Sequence, residues 1–135
     1  MGLITYLLDT DTCIHALKKR NRALATKILR HEGLLALSDV TMFELNFGAK
    51  FYEQPHECMA IISEFSSNLQ VLPFNTNCAN HAADIRYALA PSGNMIGPYD
   101  ALIAATALAH NLILVSGNAR EFSRIKGLRL ENWNV

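Results

Sequence analysis

Long apolar runs are missing from this chain of 135 residues: nothing approaches the ~20 residues that cross a bilayer, and no signal-peptide pattern follows Met1. The expectation is a soluble, cytoplasmic protein with no membrane partner. Cysteine is scarce and odd in number. Cys13, Cys58 and Cys78 lie far apart without a C-x-x-C pair, which excludes a disulfide framework or thiolate zinc site and fits reduced, buried thiols. The histidines, His15, His31, His56, His81 and His110, have no H-x-x-x-H or comparable spacing and read as ordinary helix or loop residues. Net charge is absent as well, because Lys and Arg total 12 and Asp and Glu total 12, so no overall field attracts a polyanion. Repeats, low-complexity segments and linkers are also lacking, and the length suits a single domain that buries roughly two thirds of its unfolded surface.

The basic residues that do occur are unevenly placed. Ten of the twelve fall in two segments, Lys18, Lys19, Arg20, Arg22, Lys27 and Arg30 early and Arg120, Arg124, Lys126 and Arg129 late. A neutral chain can therefore still turn a basic face towards phosphates, although a solvated helix face explains the same pattern.

Strand and helix patterns alternate. Short apolar runs at 4–8, 34–37, 69–72 and 112–115 read as buried strands, with a weak fifth near 128–130. Helical spacing or strong helix formers occupy 11–18, 22–31, 40–50, 55–67, 76–90 and 98–110, with start signals such as Asp39 and Asn75. This order predicts an α/β fold with a mainly parallel sheet of four to five strands flanked by helices. Such folds place their sites beyond the carboxyl ends of the strands.

Four acids border apolar segments where a freely solvated carboxylate is unexpected. Asp9 ends the first strand, where burial disfavours its charge unless a cation compensates, although it, Asp11 or Thr12 also suits a helix cap. Glu44 borders a helix face carrying residues 40, 43 and 47, and the alternative is a capping box with Thr41. Asp100 opens an otherwise uncharged helix behind Pro98, a position that also complements the helix dipole. Glu121, after the fourth strand, is a fourth acid or an exposed helix residue. The neighbouring Ser116, Asn118 and Arg120 are candidate substrate contacts. Two like charges ~4 Å apart repel by about 4 kcal/mol at an effective dielectric near 20, so clustered carboxylates hold protons or bind a cation. Oxygen-only ligands select Mg2+ or Mn2+.

These residues carry a resemblance to PIN-domain ribonucleases, and within them to the VapC-like toxins of bacterial toxin-antitoxin pairs. It rests on Leu8-Asp9-Thr10-Asp11-Thr12, on Ser38 to Leu45 with Gly48-Ala49, on Tyr99-Asp100 with Ile103-Ala104-Ala105, on Leu114 to Phe122, and on Gly127 to Trp133. Asp11 departs from the more usual Asn, and Ser116-Gly117 from the more usual Thr-Asn. The resemblance implies a PIN-like domain over residues 1–135 and a metal-dependent endoribonuclease, with Asp9, Glu44 and Asp100 matching the family's acids and Glu121 in its late Arg-Glu-Phe motif. It further implies a cognate antitoxin that blocks the site, a homodimer and toxin-antitoxin hetero-oligomers.

In the expected chemistry Mg2+ or Mn2+ orients an RNA phosphodiester and acidifies the attacking water. Two other readings compete. A haloacid-dehalogenase-like phosphatase would use Asp9 as nucleophile, but no Asp follows Ser116 to complete its later motifs. A non-catalytic module would hold RNA or protein on the same fold.

Overall fold

A computed structural model describes residues 3–93 and 95–134. Five strands form one sheet: β1 (Tyr6–Leu8), β2 (Leu35–Ser38), β3 (Gln70–Leu72), β4 (Ile113–Val115) and β5 (Leu130–Glu131). Seven helices connect them: α1 (Thr10–Lys18), α2 (Arg22–Arg30), α3 (Asp39–Ala49), α4 (Pro55–Ser67), α5 (Thr76–Leu89), α6 (Pro98–Ala109) and α7 (Ala119–Phe122). A 3-10 turn at Ala90–Ser92 extends α5. The sheet runs β3-β2-β1-β4-β5, and every pairing is parallel.

The expected strands and helices are all present, with small shifts at their ends. The first strand begins at Tyr6 rather than Ile4, the fifth occupies only Leu130 and Glu131, and α7 is a short element that the sequence pattern did not separate from its loop. Helix starts follow side-chain chemistry. Asp9, Asn21, Ser38 and Asn75 each accept a backbone N–H from the residue three positions on. At α3 the cap is Ser38, one residue before the Asp39 start signal.

Alternation along the strands divides the core into two layers. Leu7, Ala36 and Leu114 face one side with α5 and α6, while Leu8, Leu35, Leu37 and Val115 face the other with α1, α3 and α4. The helix at 98–109 is buried nearly all round, as its uniform apolarity requires: Ala101 and Ile103 to Ala107 are inaccessible. Cys13 and Cys78 are buried and all three thiols are free.

One expectation about a helix face is overturned. Residues 40, 43 and 47 do not share one buried face: Val40 is buried, but Phe43 and Phe47 are 49% and 54% exposed, and α3 buries Thr41, Leu45 and Ala49 at i, i+4 and i+8 beside Val40. The two Phe rings stack on each other, and Phe43 also meets Tyr99 at 5.4 Å.

The segment after β5 packs on one face of the sheet. Trp133 is buried, stacks on His31 at 4.7 Å, meets Tyr6 edge-on at 4.9 Å, and donates from Nε1 to Glu131. Asn21 binds the Asn134 carbonyl, tying the start of α2 to the same segment.

Candidate active site

Strand order fixes where chemistry can occur. From β1 the chain winds outward to β2 and β3, then crosses back so that β4 lies on the opposite side of β1. The gap beyond the carboxyl ends of β1 and β4 is therefore the switch point of the sheet, where α/β folds open a crevice. Leu8 pairs with Val115, so Asp9 and Ser116 enter that crevice together.

Asp9 is only 3% exposed. Its Oδ1 accepts the Thr12 N–H at 2.8 Å, and its own N–H donates to the Val115 carbonyl at 3.1 Å. The helix-cap reading of Asp9 holds, and the cap stands at the switch point. Burial pushes its carboxyl above the usual range, the Ser116 and Thr12 hydrogen bonds pull it back, and the Asp11 charge adds to the rise. Ser116 is itself buried and accepts the Asn118 N–H at 2.9 Å, so its hydroxyl proton is left for Asp9.

Glu44 reaches the crevice from the second turn of α3. The capping-box alternative fails, because Ser38 is the cap and accepts the Thr41 N–H at 3.0 Å. Glu44 Oε1 accepts from the Thr10 hydroxyl at 2.7 Å, and Thr10 Oγ1 lies 3.1 Å from Thr41 Oγ1. The sequence reading missed this role of Thr10. Its only signal was a hydroxyl directly after Asp9.

Asp100 sits in the first turn of α6, which begins at Pro98 behind Gly97. Burial chiefly, and then the charges of Asp9, Glu44, Glu121 and Asp11, raise its pKa to about 6. All four anticipated acids thus lie within one electrostatic neighbourhood. Glu121, on α7, accepts from Asn118 Nδ2 at 2.8 Å through Oε2, while Arg124 stands 3.9 Å from Oε1. Arg120 is exposed on the same short helix, and Asp11 is exposed at the start of α1.

Among the described residues, no three Asp, Glu, His or Cys side chains are already gathered closely enough to hold an ion. The neighbouring acids still raise the cost of ionising Asp100. The donor set is nevertheless all oxygen, and its uncompensated charge is what a hard divalent cation neutralises. The residues fit such an ion.

A groove of 620 Å3 between α1, α3 and α4 runs up to this site. Ile14, Leu17, Leu45, Ile61 and Ile62 form its apolar walls, and Glu44 stands at its border.

Comparison with known proteins agrees with this geometry. The PIN domain family matches residues 6–128. The chain is 36% identical over 132 residues to a tRNA(fMet)-specific endonuclease VapC of Shigella flexneri, spanning 98% of this chain and 100% of that protein. It is 37% identical over 131 residues to ribonuclease VapC2 of Haemophilus influenzae strain ATCC 51907, spanning 97% and 99%. The crystal structure of DNA-bound VapBC from Salmonella typhimurium superimposes with a TM-score of 0.92 at 36% identity, covering 96% of this chain and 98% of that one.

Proposed function

The chain belongs to the PIN-domain family, and from that premise we propose that it is an endoribonuclease toxin of a toxin-antitoxin pair, acting as one PIN-like domain over residues 1–135. The observation that carries the reading is the set of acids Asp9, Glu44, Asp100 and Glu121 arranged around one switch point, each of the other three raising the pKa of Asp100. Named ribonuclease relatives that span nearly the whole chain support the activity. The phosphatase alternative falls with the family.

Asp9, Glu44 and Asp100 would hold a divalent cation, with Glu121 at the margin because Asn118 and Arg124 already engage it. Mg2+ or Mn2+ fits the oxygen donors, and supplies charge neutralisation for the phosphodiester and acidification of the attacking water. Asp9 is held in place by the Thr12 N–H and Ser116, so its carboxylate keeps one orientation in a water-poor crevice. Glu44 is held by Thr10. Arg120, exposed on the helix that carries Glu121, and the exposed Lys126 would neutralise flanking phosphates of single-stranded or looped RNA.

The partner reading has its own support. Solved relatives are toxin-antitoxin complexes, and the apolar groove that ends at Glu44 suits an antitoxin segment that blocks the site. The exposed row of Phe43, Phe47 and Phe51 beside Tyr99 suits a homodimer within such a hetero-oligomer. Among the described residues no helix is long and apolar enough to cross a membrane, and we place the protein in the cytoplasm with its RNA substrate.

The deciding experiment incubates the purified, antitoxin-free protein with total cellular RNA and Mg2+ or Mn2+, with EDTA and Asp9→Asn controls, and maps new RNA ends. Discrete ends that vanish in both controls establish the activity. Absence of cleavage by folded, metal-supplemented protein overturns it.

A further inference from the structure

Three hydroxyls join the ends of two strands to a single carboxylate. Thr10 follows Asp9 and opens α1, Ser38 ends β2, and Thr41 lies in the first turn of α3. All three are buried, Ser38 and Thr41 completely. Proton counting sets the direction of the chain they form. Thr10 has one hydroxyl proton and gives it to Glu44 Oε1 at 2.7 Å, so the 3.1 Å contact between Thr10 and Thr41 has Thr41 as donor. The Thr41 oxygen then accepts from Ser38 at 3.4 Å, and Ser38 accepts the Thr41 N–H at 3.0 Å. Every proton points towards Glu44. A chain of aligned hydroxyl dipoles in a water-poor interior polarises each successive bond, and its last member meets an ionised acceptor, the strongest kind.

We propose that Thr10 and Thr41 are positioning residues that fix Glu44 Oε1 and thereby dedicate its second oxygen, Oε2, to the site cation. This rests on the metal-dependent nuclease reading above. Geometry explains why such a device is needed. Glu44 is only partly buried, carries a flexible side chain, and lies close enough to Asp100 for their charges to repel. A hydrogen bond from a rigid, β-branched residue on the neighbouring strand end offsets that repulsion and holds the carboxylate over the crevice. Glu44 on α3 and Asp9 beyond β1 are thus linked through Thr10, which is the immediate chain neighbour of Asp9. Among the described residues no hydrogen bond reaches Oε2.

The test measures Mn2+ binding to the metal-free protein by electron paramagnetic resonance, alongside RNA cleavage, for wild type, Thr10→Val, Thr10→Ser, Thr41→Val and Glu44→Gln. Outer partners of metal ligands typically contribute 10–100-fold to affinity or activity. We expect Thr10→Val to weaken Mn2+ binding by about 10-fold or more, Thr41→Val to weaken it less, and Thr10→Ser to keep wild-type affinity. Adding Thr10→Val to Glu44→Gln should then cause no further loss. Thermal melts check that each variant folds, and Thr41→Val decides the matter if Thr10→Val does not fold. Wild-type Mn2+ affinity in Thr10→Val, equal damage in Thr10→Ser, or additive losses with Glu44→Gln overturn the positioning role while leaving the nuclease reading intact. Wild-type protein that binds Mn2+ but cleaves no RNA overturns the nuclease reading alone, and wild-type protein that binds no Mn2+ overturns both.

Discussion

Leu8 and Val115 face each other in parallel register at the centre of the sheet, so the residues that follow them, Asp9 and Ser116, emerge side by side with the Ser116 hydroxyl on the Asp9 carboxylate. A contact across 107 positions of sequence is thereby set by one strand pairing. It joins the two halves of the chain at the point where the order of the sheet reverses.

Loss of either central acid should abolish cleavage. Asp9→Asn and Asp100→Asn are each expected to lower the rate by more than about 100-fold, beyond the range seen for outer partners of metal ligands. Gel mapping of RNA ends at matched protein concentration checks this. Retention of a tenth of the wild-type rate in both would place the chemistry elsewhere.

Ser116→Ala removes a hydrogen bond that favours the ionised form of Asp9, so the Asp9 carboxyl should rise further. The acid limb of the pH–rate profile then moves to higher pH, with the loss greatest at the acid end of the profile and smallest at the alkaline end. A profile lowered equally at every pH would show that Ser116 acts on something other than this proton.

In metal-free protein, Asp100 makes stability pH-dependent in a definite direction. Its folded pKa of about 6 lies above the ordinary 3.8, so the native state binds more protons than the unfolded chain between these values. Its contribution is fully present below about pH 4 and is lost as pH rises through about 6. Asp9, raised for the same reason, acts in the same sense. Urea melts from pH 4 to 7 in EDTA should show wild-type stability falling more steeply than that of Asp100→Asn, which cannot ionise. Identical slopes would show that the acids do not destabilise the empty site, and the same comparison with Mn2+ should shrink the difference.

Trp133→Ala should be costly although the residue lies outside every strand and helix. Trp133 is 1% exposed and packs on Tyr6 and His31, and truncating a buried aromatic typically costs about 3–5 kcal/mol. Equilibrium denaturation measures the loss. A change below about 1 kcal/mol would mean that the segment after β5 adds little to the fold.

Much of the fold was legible because burial on both faces of a parallel sheet forces apolar runs such as Leu34 to Leu37 and Leu112 to Val115, and because caps such as Asn75 carry a local chemical signature. The short helix at 119–122 escaped notice for want of length. The inward face of α3 was misjudged because Phe43 and Phe47 dominate its hydrophobicity, while Thr41 and Ala49 are small enough to fit beneath the sheet end. Side-chain size and position decided the matter there, and apolarity alone does not encode them.

The sequence by itself determined the α/β order and which acids stand beside apolar segments, since each follows from local periodicity and from the cost of placing a charge beside apolar residues. Only the tertiary structure decided that the charges of Asp9, Glu44 and Glu121 all act on Asp100, that Ser116 serves Asp9, and that a line of hydroxyls ends on Glu44. Those relations depend on which strands lie side by side. Strand order is set by packing of the whole core, in which residues more than a hundred positions apart come within a hydrogen bond of each other, as the 3.1 Å bond from the Thr12 hydroxyl to the Val115 carbonyl does.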